Sequence, residues 1–387
     1  MPGPWRPASH VPPGSVPGGT PPATALRSTP PSMVLRHLMR ALGPGGKDAR
    51  HLTQDEAARA FDAILSGEYS PVLIASFLTS MRWKGVTAAE LTGFAQAARN
   101  KATIPCEGVS GLVCVCPPQD GHEQTPPLDL AACLIAAAAG ARVLLITDKG
   151  VPPRRGLTAA SVLDSLGLSM TWDPTEAEDW IAKGRFATLS ASGILPPLLG
   201  LREIRGEMGL RTPLSTVEKL LAPASAAVVL AAQSGPVLGS AAEVLQGLGH
   251  PRGIVVQGVD GGIIPSVRRR SRGLELDSGH LVPVIVEPED FGLVCPAEPE
   301  LPMFGPPEEG KGTGDNVALV DACGDMIRAV LDGEPGAARN ASLLGASLIL
   351  KASGRSLTLA EGVDASARAV DEGQVKALVD HLKHLGG

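Results

Sequence analysis

From about residue 110 onward the chain alternates short apolar runs with helical patterns, and this alternation constrains the fold more than any other feature. "GLVCVC" and "ARVLLIT" are aliphatic over five or six positions, the length and character of strands buried on both faces. Between them, "LDLAACLIAAAAG" is apolar throughout and closes on glycine, as a buried crossover helix does. The pattern continues through the helix "LTAASVLDSLG", the helix "TEAEDWIAKG" opened by Asp173-Pro174, and the strand "RFATLSA". "AAVVLAA" and "RGIVVQG" are further strands with the helix "AAEVLQGLG" between them. A looser Pro/Gly stretch over 296–314 leads into the long helix "DNVALVDACGDMIRAVLDG", and two more helices end the chain. Strands joined through helices pair in parallel, so residues 103–387 are predicted to form an α/β domain with a mostly parallel central sheet.

Residues 33–102 read differently, as a small helical lobe. "LTQDEAARAFDAILSGE" opens with a capping box, Thr53 and Glu56, carries its apolar residues at helical spacing and stops at Gly67. "YSPVLIASFLTSMRWKG" offers Ser70 as N-cap, Pro71 at the first helical position and Gly85 as stop. "VTAAELTGFAQAARN" repeats the capping box with Thr87 and Glu90. Ahead of the lobe, residues 1–32 are expected to be a disordered tail: the first 31 residues hold ten prolines, and no acid precedes Asp48. An acid-free, arginine-bearing leader also resembles an organelle transit peptide.

The chain has 387 residues, a formal net charge of −6 and 44% hydrophobic residues, which suits a globular core and argues against a uniformly basic nucleic-acid binder. Six cysteines give no disulfide framework, and the close pair Cys114 and Cys116 sits in a strand-like run where buried thiols are expected. No apolar run reaches membrane-spanning length, so a reduced, cytoplasmic compartment is the default expectation.

Several segments resemble a known family. "LTQDEAARAFDAILSGEYSPVLIASFLTSMRWKG" is similar to the N-terminal helical domain of anthranilate phosphoribosyltransferases, and "IRGEMGLRT", "EPEDFGL" and "LDGEPGAARNASLLGASLIL" resemble later signatures of that family, glycosyltransferase family 3. The resemblance runs from about residue 33 to the end. It implies a helical lobe beside an α/β domain, a homodimer paired through the helical lobes, and transfer of phosphoribosyl from phosphoribosyl pyrophosphate with magnesium as cofactor.

The family's catalytic pattern is broken here. Its phosphate-binding GTGGD loop falls on "CPPQDG", where Pro117 and Pro118 replace glycines and cannot offer an N–H. Only Asp120 and Gly121 remain, with Pro127 in place of an asparagine. The KHGN element falls on "TDKG", leaving a displaced Lys149 and Gly150. The acidic pair that holds magnesium is replaced after Asp260 by Ile263 and Ile264, and hydrocarbon side chains cannot ligate magnesium. Arg205 matches the arginine that the family places near the anthranilate carboxylate. An active transferase would therefore rest on Asp120, Gly121, Lys149 and Arg205 as substrate-binding residues.

Cations gather instead. Arg154 and Arg155 stand where the family has phosphate-facing serines, Arg202, Arg205 and Arg211 follow in "LREIRGEMGLRT", and Lys219 in "STVEKLLAP". "DGGIIPSVRRRSRG" adds Arg268, Arg269, Arg270 and Arg272. A branch of the family lacking the phosphoribosyl pyrophosphate motifs binds DNA or RNA without sequence preference, and "STVEKLLAP" resembles that branch. The expectation is therefore a degenerate site with no assigned catalytic residue, metal or cofactor. A basic cleft of Arg154, Arg155, Arg205, Lys219, Arg268, Arg269, Arg270 and Arg272 would bind nucleic acid non-specifically through phosphate neutralisation. Trp83 is the one evident stacking candidate and is read as lobe core. His122 and Glu123 are read as exposed loop residues. The alternative is an active, magnesium-dependent phosphoribosyltransferase.

Overall fold

A computed structural model describes residues 33–42, 49–233, 235–306 and 308–385. The proline-rich tail, with the expectations placed on it, lies outside the described residues.

The helical lobe comprises α1 (Val34–Leu42), α2 (Gln54–Leu65), α3 (Pro71–Lys84) and α4 (Ala88–Lys101). Both capping boxes form, with Thr53 receiving the Glu56 amide and Thr87 that of Glu90, and Ser70 caps α3 ahead of Pro71. Glu90 does more than cap. It is fully buried, accepts from Lys84 Nζ at 2.8 Å and from the Leu52 amide at 2.7 Å, and so ties the start of α4 to the end of α3. Burial opposes its charge, but the lysine and the amides outweigh this and hold its pKa below the usual carboxylate value. Phe61, Phe77 and Phe94 fill the lobe, while Trp83 is 76% exposed rather than part of its core. Helix α3 turns its other face inward, burying Ile74, Phe77, Leu78 and Met81.

The α/β domain carries one seven-stranded sheet in the order β3-β2-β1-β4-β5-β6-β7. Strands β1 (Leu112–Cys116), β2 (Arg142–Ile146), β3 (Phe186–Leu189), β4 (Ala227–Ala231) and β5 (Arg252–Gln257) are parallel. Strands β6 (Ser271–Asp277) and β7 (His280–Val286) add an antiparallel hairpin at the far edge. Alternation along each strand builds two cores. Cys114, Cys116, Leu144 and Ile146 face the layer that is continuous with the helical lobe. Val113, Val115, Val143 and Leu145 face α5 (Asp129–Ala138), α9 (Val317–Leu331), α10 (Ala337–Ala352) and α11 (Leu359–Asp371). Between these lie α6 (Pro174–Gly184), α7 (Arg202–Met208) and α8 (Gly235–Gly247), and α12 (Gln374–Lys383) ends the fold.

The predicted helix over "LTAASVLDSLG" is short, one turn over Ala159–Val162 followed by a turn of 3-10 helix. Cys114 and Cys116 are buried thiols, and burial pushes Cys116 up to about 12. No described helix is long and apolar enough to cross a membrane.

This topology decides where a ligand can sit. Strand order reverses between β1 and β4, so the loops leaving their carboxyl ends diverge to opposite sides and open a crevice. The helical lobe closes that crevice from above.

Candidate functional site between the lobes

Two adjoining cavities fill the crevice. The first, about 380 Å³, lies under the end of α3 and the start of α4, and Pro118, Arg211, Thr212, Lys219 and Gln233 line its opposite wall. The second, about 570 Å³, is bordered by Glu123, Arg154, Lys311 and Gly312. Arg82, Arg211 and Gln233 belong to both, so the two spaces share a wall.

The loop after β1 is built as a closed zipper. Gly156 donates to the Asp120 carbonyl at 2.9 Å, while His122 and Leu157 exchange hydrogen bonds of 2.8 and 2.9 Å. Gly121 adopts φ +78°, and a Cβ there would lie 2.5 Å from Gly156 C. Backbone packing alone therefore requires this glycine. Several of the loop's amides are also engaged within the protein. Gly121 N–H donates to the Pro118 carbonyl, and the Glu123 and Gln124 amides donate to Asp260 Oδ2 at 2.7 and 2.9 Å. Pro117 and Pro118 have none to offer.

Asp120 is 1% exposed and grips the Arg211 guanidinium through both oxygens, with Nε at 2.5 Å from Oδ2. Burial opposes the Arg211 charge, but the paired carboxylate outweighs it and raises its pKa. His122 is buried rather than exposed. Its Nε2 lies 3.6 Å from Asp129 Oδ1 and its Nδ1 3.8 Å from Asp260 Oδ2, while Glu123 is exposed as expected. Arg154 reaches Glu123 at 3.0 Å and Asp260 at 3.7 Å.

The magnesium implied by the family does not fit these residues. Ile263 and Ile264 point into the core at 1% and 8% exposure, and among the described residues no group of three His, Cys, Asp or Glu side chains is placed to hold a metal ion.

The structure redistributes the expected site residues. Asp120, Gly121, Lys149 and Arg205 line neither cavity. Lys149 is exposed, next to Asp148, which is held by Ser190, Ser192 and Arg202. Arg205 cannot serve a surface because it is 3% exposed and paired with Glu218 at 2.5 and 3.1 Å. Burial pushes the Glu218 carboxyl up, against the pull of Arg205. Arg155 is half-buried and outside both cavities. Arg268, Arg269, Arg270 and Arg272 are exposed, but at the start of β6, where Arg270 pairs with Glu287 at 2.8 Å. They line neither cavity. Of the expected basic cleft, Arg154 and Lys219 alone reach the crevice walls.

Lys219 donates to the Ala231 carbonyl at 2.8 Å, and burial, reinforced by Arg211, lowers its pKa to about 8. Arg82, Thr212, Gln233 and Lys311 complete the walls without having been singled out by any motif.

Comparison with known proteins agrees with this architecture. Residues 36–102 match the model for "Glycosyl transferase family, helical bundle domain", and residues 122–376 match "Glycosyl transferase family, a/b domain". The chain belongs to this glycosyl transferase family. Among its relatives, an anthranilate phosphoribosyltransferase of Brevibacillus brevis is 30% identical over 340 residues, covering 87% of this chain and 95% of that protein. One from Xanthobacter autotrophicus is 31% identical, covering 86% and 92%. The crystal structure of the Thermus thermophilus enzyme superposes with a TM-score of 0.74 at 25% identity, covering 91% of this chain and 98% of that one. The Saccharomyces cerevisiae enzyme, solved in complex with PRPP and Mg, shares the fold at 16% identity with a TM-score of 0.70, covering 92% and 98%. The fold expected from sequence, a helical lobe beside a larger α/β domain with a mostly parallel sheet, is the fold observed.

Proposed function

We propose that this chain is a phosphoribosyltransferase of the anthranilate phosphoribosyltransferase kind, working in the crevice between the lobes with an altered grip on its phosphorylated donor. One observation carries this reading: two cavities of different chemistry adjoin at the switch point of the sheet and share Arg82, Arg211 and Gln233. A group-transfer site needs two compartments that meet at the reacting atoms. The larger cavity borders Arg82, Arg154, Arg211 and Lys311 with Glu123 as the one carboxylate, and suits a polyanionic donor. The smaller has apolar and hydroxyl-bearing walls and suits a small acceptor. The names of the relatives support the same reaction class.

On this reading side-chain cations hold the donor phosphates, in place of the glycine amides and metal-binding carboxylates that the sequence lacks. The test is pyrophosphate release from phosphoribosyl pyrophosphate in the presence of anthranilate, assayed with magnesium and with a chelator. Release that depends on the acceptor supports the proposal, and no release under either condition overturns it.

Non-specific nucleic-acid binding is the second reading, favoured by the exposed Arg268, Arg269 and Arg272, which form no salt bridges. It would act at the start of β6 rather than in the two cavities. Single-stranded DNA titrated at low and high salt tests it, since binding through phosphates falls steeply with salt. A homodimer paired through the helical lobes belongs to this same set of proposals, and sedimentation of the intact chain measures it.

A further inference from the structure

The smaller cavity has an unusual balance of charge. Among its lining residues three are cations, Arg82, Arg211 and Lys219, and none is acidic. Their charges are not equivalent. Arg211 is neutralised by the buried Asp120, and Arg82 stands exposed at the rim. Among the described residues Lys219 forms no salt bridge, and its one hydrogen bond there goes to a neutral carbonyl, that of Ala231. The interior wall therefore presents one uncompensated positive charge. Thr212 lines the same cavity at 7% exposure, and its Oγ1 is buried without a hydrogen-bond partner. A buried hydroxyl without a partner and a cation without a counterion both carry a free-energy cost that a bound anion would relieve. Val86, Leu91 and Pro213 add apolar surface to the same cavity.

We infer that Lys219, together with Thr212, reads the carboxylate of a flat, singly charged acceptor, while Arg205 does not. Arg205 is excluded by its own geometry, because both of its terminal nitrogens are committed to Glu218 and Ser215 in the interior. One half-buried lysine without an ion pair, on a wall that also carries Thr212, Ser215, Thr216 and Ser240, matches the single charge of a monocarboxylate better than a dianionic phosphate. The apolar surface suits a ring. This inference rests on the transferase reading for the reaction but not for the binding, so the two can fail separately.

The experiment is calorimetric titration of the intact protein with anthranilate, benzoate, aniline and inorganic phosphate. It compares the wild type with Lys219→Met, Lys219→Arg, Thr212→Val and the paired replacement Arg205→Met with Glu218→Leu. Lys219→Met should weaken both carboxylates at least about tenfold, the scale of one lost charge-assisted hydrogen bond, with Lys219→Arg retaining most of the affinity. Thr212→Val should weaken them less, the paired replacement should leave them unchanged, and aniline and phosphate should bind poorly throughout. Removing a poorly solvated charge should not unfold the chain, and thermal melting of each variant checks this. Carboxylate affinity equal in wild type and Lys219→Met, loss in the paired replacement alone, preferential binding of phosphate, or no carboxylate binding by the wild type would each overturn the inference. Lys219-dependent binding without pyrophosphate release would remove the transferase reading and leave this one. Turnover with an unchanged KM for anthranilate in Lys219→Met would do the reverse.

Discussion

Two groups of cations distinguish this molecule, and they behave in opposite ways. Arg268, Arg269, Arg270 and Arg272 are neighbours in sequence and stand in water at the start of β6, with one of them paired to Glu287. Arg82, Arg154, Arg211 and Lys219 come from four separate segments and converge on one crevice, where carboxylates and carbonyls hold them. Exposed charges are cheap to gather and contribute little to stability, whereas charges drawn into a crevice require partners. The second group is therefore the one the fold has organised.

The contrast is sharpest in stability. Replacing Arg205 alone by Met leaves the Glu218 carboxylate buried without its partner and should cost about 3–5 kcal/mol in urea unfolding. Adding Glu218→Leu should recover most of that. Arg211→Met strands Asp120 in the same manner and should cost on the order of 3 kcal/mol, somewhat less because Arg211 reaches solvent at the crevice.

A pH effect comes next. Burial holds the Lys219 pKa near 8, against 10.5 for an unburied lysine. Below pH 8 both folded and unfolded chains carry this proton, and the folded chain bears the full cost of the buried charge. Between pH 8 and 10.5 the unfolded chain binds a proton that the folded one has released, so stability contributed by this group rises with pH. The stability of wild type relative to Lys219→Met should accordingly increase across that window, by on the order of 2 kcal/mol. A flat difference between the two proteins from pH 7 to 10.5 would show that Lys219 is not desolvated. At the small end, replacing Arg268, Arg269 and Arg270 together by Ala should change unfolding free energy by less than about 0.5 kcal/mol per residue, and a larger loss would mean that this group is also organised by the fold.

How much of this was legible in the sequence follows from the range of the interactions. The capping boxes at Thr53 and Thr87 close within three residues, so the string alone reveals them. The parallel strands are legible because burial on both faces makes them apolar at every position. The antiparallel β6–β7 hairpin was not anticipated, although its turn carries a signal: Ser278 and Gly279 both have φ near or above +50°, as a two-residue primed turn requires. Pro117, Pro118, Ile263 and Ile264 depart from the family pattern at the level of the string, and the structure adds that Ile263 and Ile264 are buried. The convergence of the crevice walls was not legible. Arg82 and Arg211 are 129 positions apart, yet an Arg82 guanidinium nitrogen donates to the Arg211 carbonyl. The visible arginine run lies outside both cavities. Arg205 looked available because sequence shows a charge but not its counterion, Glu218. His122 looked exposed because the pairing of its loop with residues 156–157 is a tertiary contact.

Work in the crevice, rather than at the start of β6, has a direct test. The most direct measurement is pyrophosphate release from phosphoribosyl pyrophosphate with anthranilate, compared across wild type, Lys219→Met and the Arg268/Arg269/Arg270→Ala triple variant. The account predicts turnover in wild type, undiminished turnover in the triple variant, and a loss of at least about tenfold in Lys219→Met at limiting anthranilate. Turnover that survives Lys219→Met intact but collapses in the triple variant would contradict it.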